Sequence, residues 1–230
     1  MPTQSFDLTL ELDLALRSQG GDPAKVRPAL REMTAAMIER AHTLLTPAVA
    51  YDVFDIAEVR HERLVLSPRV SIKSARLAGT LGNAKQIAVA VCTIGPQLEQ
   101  AVGAMFAAGQ QVEATVLDGV GSAAVEELAQ RACRLFEDMA RERGLTTSVP
   151  FSPGDPDWPL EAQRDLLDLV GAEQIGVSLN DSFLMHPLKS LSLVVGIGEN
   201  LTTGGSACDY CSLREVCRYR ETSNVKRHDV

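Results

Sequence analysis

Aromatic side chains are scarce in this chain of 230 residues: one Trp, three Tyr and six Phe, or 4%. They are too scattered for a base-stacking platform, and a formal net charge of -8 with a pI near 5.1 offers no footprint for a polyphosphate, so no nucleic-acid partner is expected. Long apolar runs are missing too. No window approaches the roughly 20 apolar residues that cross a bilayer, and the opening MPTQSFDLTLEL lacks the basic and apolar regions of a secretory signal. A cytoplasmic protein with no membrane partner is the expectation. No Ser-His-Asp array, P-loop or dinucleotide fingerprint is present, which argues against a common hydrolase, kinase or dehydrogenase. Cysteine is limited to an odd set of five, read as core residues and metal ligands rather than a disulfide framework.

What is present suffices for one sizeable core, or a core with a small appendage: 45% of residues are apolar and 23% charged. Phe6, Leu8, Leu10, Leu12 and Leu14 alternate, predicting a short strand that merges into a helical turn before Gly20-Gly21. Asp22-Pro23 starts a helix whose apolar positions, Val26, Leu30, Met33, Met37, Ile38, Ala41 and Leu44, carry it to about Leu45, where Pro47 stops it. Strands follow at Ala48 to Ile56 and Arg63 to Leu66, joined by a charged turn with a solvated His61. Ile72 to Leu81 reads as a short helix, Ile87 to Cys92 as a buried strand, and Pro96 as the first position of a helix ended by Gly109. The longest helix runs from about Gln110 to Arg143, and Cys92 and Cys133 are assigned to the core. The fold class is α+β: a long central helix and further helices packed on an antiparallel or mixed sheet, with a short C-terminal cysteine-bearing appendage.

Turn chemistry is densest from Phe151 to Gly198. Pro153, Gly154, Pro156 and Pro159 forbid regular structure up to a helix start at Pro159, near which Asp157 can cap. Leu160, Leu166, Leu167 and Val170 make a short amphipathic helix, and Ile175 to Leu179 a strand ending at Asn180-Asp181-Ser182. His186-Pro187, Lys189-Ser190 and the apolar run Leu191 to Ile197 complete the stretch. The pieces SPG, DWPLEAQ and IGVSLNDSFLMHPLKSLS resemble the activation domain of cobalamin-dependent methionine synthase and its stand-alone relatives. Weaker matches lie at Pro47 to Ile56, at TIGPQLEQ (Thr93 to Gln100) and at LDGVGSAAVEEL (Leu117 to Leu128). The resemblance implies an activation-like domain over residues 1–198 and a separate tail over 199–230.

It also implies site residues. Glu126 lies near where such domains present an acidic group to S-adenosylmethionine. The neighbouring Gly119, Gly121, Ala123 and Ala124 are read either as tight helix packing or as room for a planar ligand, with Asp118, Glu126 and Glu127 as polar handles. Pro153, Gly154 and Asp155 form a loop whose backbone either presents amides and carbonyls to a ligand or makes a corner pinned by a buried Trp158. Relatives place an Arg and a Tyr around this turn to bind S-adenosylmethionine; here Pro150 and Asp155 stand in their places, so a cationic donor and an aromatic contact are missing. Asn180, Asp181, Ser182 and Lys189 are candidate contacts at a rim facing the cobalamin of a partner, beside His186.

The tail adds chemistry of its own. Cys208, Cys211 and Cys217 are spaced C-x2-C-x5-C after Gly204-Gly205, so that two thiolates of a tight loop and a third from the residues after it converge on one ion. An iron-sulfur cluster is favoured because reactivating an oxidised cobalamin takes a low-potential electron; zinc, completed by a distant ligand, is the alternative. Arg214, Arg218 and Arg220 would balance the thiolate charge. The leading expectation is an accessory protein for reductive reactivation of a cobalamin-dependent methyltransferase, a split methionine synthase fitting best. Its partners are a cobalamin-binding methyltransferase subunit and an electron-donor protein. The alternatives are an independent metal-dependent redox or methyl-transfer enzyme and a non-catalytic adaptor for a corrinoid protein.

Overall fold

The computed structural model describes residues 2–67 and 70–201; the cysteines of the tail lie outside the described residues. In chain order the elements are β1 (Thr3–Ser5), α1 (Leu12–Ser18), α2 (Pro28–His42), β2 (Ala48–Asp55), β3 (Glu58–Arg60), β4 (Arg63–Ser67), β5 (Val70–Lys73), α3 (Ala75–Thr80) and β6 (Ala84–Thr93). There follow α4 (Gln97–Ala107), α5 (Gln111–Arg141), β7 (Thr146–Thr147), α6 (Gln163–Val170), β8 (Ser178–Leu179), β9 (Met185–His186) and β10 (Ser190–Gly198). The class is α+β, dominated by the 31-residue α5. A five-stranded sheet has the order β1-β2-β6-β10-β7, a three-stranded one the order β3-β4-β5, and β8 pairs with β9 alone. The pairs β1–β2, β10–β7, β3–β4, β4–β5 and β8–β9 are antiparallel.

Two compact units divide the chain. The first comprises Met1–Asp52, Val89–Leu135 and Gln163–Leu193. Its core joins Leu16 of α1, Ile38 and Ala41 of α2, Val89 to Cys92 of β6, Leu98 of α4, Leu117, Val120 and Leu128 of α5, and Leu166 and Val170 of α6, all buried. The second comprises Val53–Ala88, Phe136–Ala162 and the chain from Val194. It buries Leu64, Ile72, Leu77, Leu81, Ile87, Phe136, Phe151, Trp158, Val195 and Ile197. Its last described residue, Leu201, is tied down: the amide donates to Thr146 Oγ1 at 3.0 Å, while that hydroxyl donates to Gly198 O at 3.1 Å.

Several expected boundaries move for local reasons. Helix α2 begins at Pro28 rather than Asp22-Pro23, because a residue before proline is pushed out of the helical region, and Arg27 is extended with ψ 143°. Asp22 instead closes a turn, accepting the Ala24 amide on its side chain at 3.1 Å and the Lys25 amide on its carbonyl at 2.8 Å. Ile72 belongs to β5, and α3 starts only after Ser74, whose hydroxyl accepts the Leu77 amide at 3.1 Å. Pro96 is the N-cap of α4 rather than its first residue. The chain after Pro159 starts as a 3-10 turn, Leu160–Ala162, before α6, and Ile175 ends a second such turn, which leaves β8 only two residues long.

Candidate functional site

In the second unit the PG turn is a knot of short hydrogen bonds. The Gly154 amide donates to Trp158 O at 2.8 Å, the Trp158 amide to Asp155 O at 3.0 Å, and the Asp155 amide to Ser152 O at 3.0 Å. Asp155 Oδ2 accepts the Ser152 amide at 3.0 Å, so this carboxylate holds the turn it stands in. Gly154 has φ 96°, a value side chains rarely adopt. Phe151 anchors the entry by exchanging hydrogen bonds of 2.9 and 2.8 Å with Val194, and Arg76 lies over its ring at 5.5 Å. Asp157, expected near a helix cap, takes φ 64° and makes no capping hydrogen bond among the described residues. Trp158 is 2% exposed, as a pinned corner requires.

A cavity of about 590 Å³ opens beside this turn. The turn contributes Gly154, Asp155, Asp157, Trp158, Pro159 and Leu160, and the other wall is Glu62 with Lys73, Ser74 and Ala75 from the β5–α3 junction. Gly154 and Asp155 therefore reach the cavity, whereas Pro153 is buried and is not part of its lining. Among the described residues, Trp158 Nε1 is the buried side-chain polar atom left without a hydrogen-bond partner.

The other candidates lie in the first unit. Asn180 is the template of the β8–β9 turn: its Oδ1 accepts the amides of Ser182 and Leu184, both at 2.9 Å. Asp181 and Ser182 form the exposed tip. Buried Gln163 holds the turn from behind, donating to Phe183 O at 2.9 Å, and Arg164 covers the Phe183 ring at 5.2 Å. Lys189, expected at a rim, is drawn inward. Its side chain is 15% exposed and its Nζ donates to Asp118 Oδ1 and Ser122 Oγ, each at 2.9 Å. Neighbouring Leu188 donates its amide to Glu99 Oε2 at 2.7 Å, a contact 89 residues apart that no local pattern announces. A second cavity of about 370 Å³ lies between Thr46, Gly95, Pro96 and Glu99 on one side and Gly176, Ser178, His186 and Pro187 on the other.

The small-residue face of α5 is tight packing. A Cβ at Gly119 would collide with the Gln19 side chain, and one at Gly121 would lie 2.6 Å from Leu98 Cδ2, so no room for a planar ligand remains there. Asp118 is engaged by Lys189, and Glu127 by Arg131 and Arg134 at 2.8 Å. Glu126 is half-buried on the same helix.

Among the described residues no three His, Cys, Asp or Glu side chains converge as a metal site, and Cys208, Cys211 and Cys217 lie outside them. Cys92 is fully buried, and burial, aided by Cys133, pushes its thiol far above the ordinary range. Among the described residues no helix is long and apolar enough to cross a membrane.

No protein-family model matches the chain, and no curated protein does. Among solved structures, the crystal structure of the MetH reactivation domain bound to AdoHcy matches with a TM-score of 0.64 and 14% identity, over 91% of this chain and 83% of that one. At that identity the likeness is one of fold.

Proposed function

We propose that this protein is an accessory module for reductive reactivation of a cobalamin-dependent methyltransferase, acting on a separate cobalamin-binding subunit, with a split methionine synthase as the best fit. The observation that carries the reading is the shared fold with the MetH reactivation domain across nine-tenths of the chain. The motifs that carry the resemblance also supply the cavity beside the PG turn, where a ligand of the S-adenosyl class, like the AdoHcy of that domain, would be held. A Cβ at Gly154 would make only an ordinary contact, 3.6 Å from Leu160 Cδ1, so it is the φ of 96° that calls for glycine in this turn.

The tail is proposed as a metal site. Three thiolates suit either an iron-sulfur cluster or, with one more ligand, zinc. A cluster would supply a low-potential electron to the oxidised cobalamin, whereas zinc would brace the tail. Iron and sulfur are the favoured pair, fed by an electron-donor protein.

Reconstitution tests the function. The full chain, purified anaerobically and mixed with an inactive corrinoid methyltransferase subunit, a reductant and S-adenosylmethionine, should restore the methylcobalamin absorption spectrum. Absence of restoration, together with pull-downs that recover no corrinoid protein under reducing or oxidising conditions, would overturn it.

A further inference from the structure

We draw no further inference here: the strongest candidate, the cavity of about 370 Å³ between Thr46 and Glu99 on one side and Ser178 and His186 of the β8–β9 pair on the other, belongs to the candidate rim already described, and among the described residues no unpartnered buried side-chain polar atom lines it to point to a ligand.

Discussion

Single residues carry the strongest constraints. Cys92 is fully buried, and the cost of desolvating its thiolate raises its thiol above the ordinary value of 9.0. In the unfolded chain the same thiol ionises near that value, so the folded state binds more protons at high pH, and stability should decline as pH rises past about 9. Urea midpoints measured across that range should fall more steeply for the parent than for Cys92→Ala. Gly95 is a second such position. It has φ 79°, and a Cβ there would strike Thr46 Oγ1, so Gly95→Ala should cost about 1–3 kcal/mol, readable as a lowered melting temperature. Much of this scale was legible in the sequence. Cys92 in an apolar run and Trp158 in the PG turn both lie where their surroundings suggested, buried. Lys189 was not legible, because its exposure depends on Asp118 and Ser122, reached across about 70 positions of chain.

At the scale of elements, the segment from His186 to Ser190 is held by three neighbours at once. Glu99 of α4 accepts the Leu188 amide, Asp118 and Ser122 of α5 take the Lys189 ammonium, and Thr93 at the end of β6 accepts the Ser190 hydroxyl at 2.9 Å. Lys189→Met should therefore lower stability by about 1–2 kcal/mol, because two hydrogen-bonded contacts of a mostly buried ammonium are lost. A cycle with Asp118→Asn, read from urea midpoints, should return a coupling near 1 kcal/mol; strict additivity would mean that the pair does not act as drawn. Periodicity located α4, α5 and the long strands to within a few residues. Charged β3 escaped, since its three residues are all exposed and offer no apolar alternation. The start of α2 escaped because Asp22-Pro23 and Pro28 are both plausible openings, and only the second is followed by an uninterrupted helix.

On the scale of the whole molecule, the α+β class follows from the sequence, while the sheet order β1-β2-β6-β10-β7 does not, because pairings between distant strands leave no local mark. The proposed tail site makes its own prediction. Replacing Cys208, Cys211 or Cys217 with Ser should remove the bound metal and abolish reactivation, whereas Cys133→Ser should leave metal content intact; elemental analysis separates the two groups. Metal retained at full content in all three tail variants would refute the assignment. The fixed amide of Leu201 adds a geometric limit. Cys208 follows it by seven positions, so chain length alone limits its Cα to about 25 Å from that of Leu201. If the proposed tail site holds a metal, that tether limits how far from Leu201 the metal can meet the reactive centre of a partner.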